Sequence, residues 1–184
     1  MGCAQPAYSS AAVRLIASAI NGAIESVRIL GALVTASVGR MESVMTSSFS
    51  REAAVRAGLE AYFGYPIAHE QDADRAILAS LAILDGLEKL AVHPRLQARI
   101  GIASGLVVAA HVLAPDKMAV GETPNLAQRM QTVAKPNQVI VSARTRALTG
   151  GSFEFDDHGV HDLKGISTPT PVWRVIQASP LQTR

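Results

Sequence analysis

The sequence predicts an α+β fold: one sheet carrying helices on one face. Three observations lead there. Apolar residues recur at helical spacing from Glu70 to Leu90, apolar and polar residues alternate from Leu96 to Ala103, and short β-rich runs bounded by Gly and Pro fill the C-terminal third. Helical and strand periods that alternate along a chain bury their apolar sides by laying helices on a sheet.

Taken in order, the elements fall into two unequal parts. Residues 1–56 are rich in Ala, Ser, Val and Ile and form a divergent N-terminal segment, expected to be helical. Residues 11–34 read as a helix with a loosely apolar face through Val13, Ile16, Ile20, Ile24, Val27 and Leu30. Gly22 and Gly31 weaken that helix by about 1 kcal/mol each. Residues 46–50 read as a loop.

The main domain is expected to span residues 57–178, with a tail at 179–184. Leu59 to Phe63 is a short strand ended by Gly64-Tyr65-Pro66. The helix from Glu70 to Leu90 repeats Ala73, Ala76, Ile77, Leu81, Leu84 and Leu87, with Asp72 and Asp74 in the first turn where the helix dipole favours them. Leu96 to Ala103 and Leu106 to Leu113 read as two strands of a hairpin, with Gly101 and Gly105 permitting the bend. Pro124 to Val133 is a helix, Thr123 its N-cap and Pro124 its first residue. A turn at Pro136-Asn137, a buried strand at Val139–Val141 and a short helix at Ala143–Leu148 follow. Brief strands near 153–155, 160–163 and 172–176 complete the sheet.

Composition narrows the function. At 184 residues, 48% hydrophobic and 17% charged, the chain has enough apolar residue for one packed domain. A net charge of +2, with basic residues scattered, argues against nucleic acid or an anionic membrane surface as partner. One cysteine, Cys3, leaves no intramolecular disulfide and no cysteine metal cluster, in keeping with a reducing cytoplasm. Arg14, Glu25 and Arg28 interrupt the apolar stretch from Ala11 to Val38, so no membrane span is expected there. The same charges spoil it as a signal peptide, and Pro6 sits where a myristoylation site wants Ser or Thr.

Most candidate chemistry dissolves on inspection. No Gly-x-x-x-x-Gly-Lys or Gly-x-Gly-x-x-Gly loop is present, and the five histidines have no metal-ligand spacing. His158 and His161 lie among Asp156, Asp157 and Asp162, which reads first as a solvated strand connection. Gly121 to Arg129 is more informative. Asn125 and Arg129 are four residues apart on a helix, so they project from one face within its first two turns. Backbone N–H groups and the helix dipole attract anions there, and a planar guanidinium suits a polyphosphate. Spacing alone favours a capped surface helix.

Four segments carry a resemblance. Gly-Glu-Thr-Pro-Asn-Leu-Ala-Gln-Arg-Met (121–130) resembles the signature helix of bacterial class III adenylate/guanylate cyclases. Ala61 to Pro66, with Ala68-His69-Glu70 and Asp72 to Ala76, is similar to the strand and helix after that family's first metal-site hairpin. Arg99 to Val108 is similar to its central hairpin, and Leu163-Lys164-Gly165 leading to Pro171 to Val175 to its usual ending. The resemblance implies a ferredoxin-like βαββαβ sandwich with extra strands, here with the first strand missing or altered. It implies a head-to-tail dimer with sites at the interface, converting ATP or GTP to the 3′,5′-cyclic nucleotide and pyrophosphate. One subunit would supply two aspartates for two Mg²⁺ or Mn²⁺ ions. The other would supply an Asn that orients the ribose and an Arg that stabilises phosphate charge, by motif position Asn125 and Arg129.

The pattern breaks on one side only. Arg56-Ala57-Gly58 stands where the family reads Gly-Asp-Gly, so Ala57 replaces the second metal aspartate. No strand in residues 1–56 carries the first. Ala53 and Met118 occupy the two purine-contacting positions, leaving ATP and GTP undistinguished, and Ala110-His111 replaces a usual Gly-Asp. Mg²⁺ or Mn²⁺ is therefore expected for the family while no ligands for it are found in this chain. Three readings follow: a degenerate domain inactive alone as a homodimer, an Asn/Arg-donating partner of an intact cyclase subunit, or a misjoined sequence before Ala57.

Overall fold

The computed structural model describes residues 8–18, 44–46, 57–64, 68–89, 97–109 and 119–180. Eight strands and three helices lie there, in the order β1 (Tyr8–Ser18), β2 (Val44–Thr46), β3 (Ala57–Phe63), α1 (Asp72–Lys89), β4 (Gln97–Ala109), β5 (Ala119–Val120), α2 (Glu122–Val133), β6 (Gln138–Ser142), α3 (Ala143–Leu148), β7 (Phe153–His161) and β8 (Thr170–Ala178). The strands form one sheet in the order β2-β3-β1-β4-β6-β8-β7, with β5 paired to β4. All pairs are antiparallel except β4 with β6. A parallel pair needs a crossover, and β5 with α2 supplies it.

Alternation along β4 builds two cores. Ala98, Ile100 and Ile102 face α1, whose Ala76, Ile77, Ile83 and Leu87 pack against them with Val139 and Val141. Ala103 faces the other way, joining Ala127 and Met130 of α2 with Ile140, Leu163 and Val172. Helices therefore cover both faces of the sheet, not one as the sequence predicted. The second face escaped the sequence reading because its β4 residues, Gly101, Ala103 and Gly105, are small and carry little apolar signal.

Three further expectations are corrected. Residues 11–18, read as part of a helix, lie in β1, whose register runs Ala11↔Phe63 to Ala17↔Ala57 on one side and Tyr8↔Val107 to Ser18↔Gln97 on the other. Strand pairing on both edges overrides a weak helical spacing; the remainder of 11–34 lies outside the described residues. The 96–113 hairpin is instead one strand through Ala109, with β5 folding back so that Val108 meets Val120; residues 110–113 lie outside the described residues. Thr123 is not the N-cap of α2: Gly121 is, at φ 148°, and it gives no side-chain cap hydrogen bond.

Elsewhere the boundaries agree closely. The Pro136-Asn137 turn is fastened to β4, since Asn137 adopts φ 58°, its N–H donates to Ala98 O at 2.6 Å and its Oδ1 accepts from Ala98 N–H at 3.1 Å. The two strands read near 153–155 and 160–163 are one, β7, with register shifts at Glu154/Phe155 and Asp157/Val160.

Candidate functional site

Everything about Asn125 and Arg129 follows from how α2 sits on β4. Gly101 and Gly105 are four residues apart on the strand, so they share its α2-facing side. A Cβ at Gly101 would stand 2.3 Å from Ala127 O, and one at Gly105 would stand 2.3 Å from Thr123 Oγ1. Gly101 thus gives the helix backbone, and Gly105 the Thr123 side chain, the room to lie directly on the sheet. Two side chains fasten it there. Thr123 Oγ1 donates to Leu106 O at 2.9 Å, and Gln131 Nε2 donates to Arg99 O at 2.9 Å.

With Ala127 against Gly101, Asn125 and Arg129 stand two residues to either side of it. At about 100° per residue each points roughly 160° away from the sheet, and the two are about 40° apart. The structure thus brings both onto the outward face of α2, each half-buried. Asn125 has no side-chain hydrogen bond, and Arg129 no ion-pair partner, among the described residues. Arg129 Nε is shielded from solvent and unpaired. An unpaired, partly desolvated guanidinium beside an amide can take a phosphate or carboxylate that arrives from outside the chain.

A cleft of about 590 Å³ opens beside the same helix, lined by Ser104, Leu106, Thr123, Leu126, Ser142 and Arg144 among others. Neither Asn125 nor Arg129 lines it, and its surface is largely apolar. The geometry of α2, not this cleft, carries the candidate site. The hydroxyls at the cleft's base are engaged with each other: Thr145 Oγ1 lies 3.0 Å from Ser104 Oγ and 2.9 Å from Ser142 Oγ, and Ser142 Oγ caps α3 by accepting from Thr145 N–H.

The described residues at the position that the resemblance assigns to metal carry no carboxylate. Ala57 pairs with Ala17 on β1, and the flanking residues Ile16 and Ser18 carry no carboxylate either. Glu60 is the single acidic residue of β1 and β3, and it lies opposite Arg14. No group of three His, Cys, Asp or Glu side chains able to hold a metal occurs among the described residues. The His/Asp cluster of β7 is used internally. His158 Nε2 lies 3.3 Å from Val133 O, His161 Nε2 lies 2.9 Å from His158 O, Asp157 accepts from Gly159 N–H, and Asp156 pairs with Arg174.

Sequence reading placed Asn125 and Arg129 on one helix face but missed the platform beneath them. Its signal was the Gly-x-x-x-Gly spacing of 101 and 105, taken for bends rather than for close approach. No helix among the described residues is long and apolar enough to cross a membrane.

Known proteins place this architecture. An uncharacterized protein of Rhizobium meliloti (strain 1021) is 32% identical over 125 residues, 63% of this chain, which spans 12% of that relative's length. The guanylate cyclase domain of RhGC from Catenaria anguillulae, solved with GTP, superposes at a TM-score of 0.73 with 21% identity, covering 95% of this chain and 100% of that one. The adenylyl cyclase CyaB of P. aeruginosa superposes at 0.68 with 18% identity, covering 94% and 97%. At these identities the structures speak to fold alone. The profile of the "Adenylate and Guanylate cyclase catalytic domain" matches residues 57–175, and this chain belongs to that family.

Proposed function

We propose that this chain is a nucleotide cyclase domain that keeps the nucleotide-orienting half of a composite site and has lost the metal-holding half. Alone, as a head-to-tail homodimer, it is inactive or nearly so in converting ATP or GTP to a 3′,5′-cyclic nucleotide. The observation that supports this is Ala57, which by resemblance stands at the second metal-aspartate position and pairs with Ala17, so that neither carries a carboxylate. Triphosphate and developing negative charge lack counterions there, and other features of a pocket do not replace several kcal/mol of electrostatic stabilisation.

A second reading is favoured by Arg129, whose shielded Nε has no partner among the described residues. Facing an intact cyclase subunit, Asn125 and Arg129 would complete one site whose aspartates come from that partner. Asn125 would orient the ribose and Arg129 would stabilise charge on the phosphates. Mixing the chain with an intact class III cyclase subunit stripped of its own Arg tests this. Product that appears only in the mixture, and falls about 100-fold with Arg129→Ala, supports the composite site. A mixture as silent as its parts leaves only the degenerate domain. The cytoplasm is the compartment proposed for either reading, on the single cysteine.

A further inference from the structure

We infer that Thr123 is a positioning residue for Asn125, setting the first turn of α2 on β4; this rests on the composite-site reading above and deepens it. Thr123 is 7% exposed, and its hydroxyl donates to Leu106 O at 2.9 Å. Because Gly121 contributes no side-chain cap, this is the side-chain hydrogen bond that ties the first turn to the sheet among the described residues. Gly105 leaves the hydroxyl its room, since a Cβ there would stand 2.3 Å from it.

The remainder of α2 is held independently of Thr123. Ala127 lies on Gly101, and Gln131 Nε2 donates to Arg99 O. Arg129 falls between those two attachments, whereas Asn125 falls between Thr123 and Ala127. Releasing Thr123 therefore frees the turn that carries Asn125 and leaves Arg129 in place. The two candidate residues become separable by experiment, which a general packing role for Thr123 would not allow.

Thr123→Val keeps the shape and removes the donor; Thr123→Ser keeps the donor. By amide hydrogen exchange, Thr123→Val should speed exchange about 5- to 10-fold at Asn125, Leu126 and Ala127, whose N–H groups bond to carbonyls 121–123, leave 130–133 unchanged, and be reversed in Thr123→Ser. In the mixture with the Arg-stripped cyclase subunit, Thr123→Val should lower product about 5- to 10-fold and Thr123→Ser should restore it. That loss should vanish when Asn125 is already Ala and persist in an Arg129→Lys background. Uniform acceleration across α2, or equal losses in both backgrounds, would overturn the assignment. No loosening of the first turn in Thr123→Val, with Arg129-dependent product still formed by the unsubstituted chain, would also overturn it. Loosening without any Arg129-dependent product would instead overturn the composite site on which it rests.

Discussion

Arg129 holds its Nε away from water with no hydrogen-bond partner, while the buried hydroxyls of Ser104, Ser142 and Thr145 satisfy one another. Gln131 Oε1 and Arg174 Nε are shielded and unpaired as well, so it is the outward position of Arg129 on α2 that supports the composite-site proposal. Thr145 is fully buried and its hydroxyl also donates to Ile102 O at 3.3 Å, so Thr145→Val should cost about 1–3 kcal/mol by urea denaturation. Lys89 pairs with Asp85 at 2.6 Å with both side chains exposed, so Lys89→Ala should change stability by less than about 0.5 kcal/mol. Arg129→Ala should leave the denaturation midpoint nearly where it was, since the side chain makes no ion pair among the described residues. That Asn125 and Arg129 share one face of a helix was legible in the sequence, because four-residue spacing on a helix is a local rule; their proposed roles come from the resemblance alone. Thr123 was legible only as a cap, because its acceptor, Leu106 O, lies 17 residues away.

For the elements, the seating of α2 on β4 decides where the candidate residues point. Gly101→Ala would set a methyl against the backbone oxygen of Ala127, which cannot move without shifting the helix. It should destabilise by about 3 kcal/mol or more. Gly105→Ala meets a hydroxyl that can rotate away at the loss of one hydrogen bond, so it should cost less, about 1–2 kcal/mol. Urea midpoints at constant m-value rank the two, and the reverse order would refute this seating. The helices and the strands from Ala57 onward were largely legible, because α1 and β4 repeat cleanly at their own periods. β1 was not. Its residues spread Val, Ile and Ala without a sharp period, and what makes them a strand is the pairing available on both sides from β3 and β4.

Seen as a whole, the sheet depends on its N-terminal strand. β1 lies between β3 and β4 and is antiparallel to both. Removing residues 1–18 would expose two unpaired strand edges in the middle of the sheet, which invites association between chains. The shortened chain should aggregate where the full chain does not, as read by size-exclusion chromatography at matched concentration; a monodisperse, cooperatively folded product would argue that β1 is dispensable. The same strand pairing sets Ala17 beside Ala57 and gives the central claim its most direct test: cyclic AMP and cyclic GMP formation by the purified full chain, supplied with ATP or GTP and excess Mn²⁺. No turnover from folded protein is the predicted result. Clear turnover that is abolished by Arg129→Ala would contradict it, and would mean that carboxylates elsewhere in the chain hold the metal.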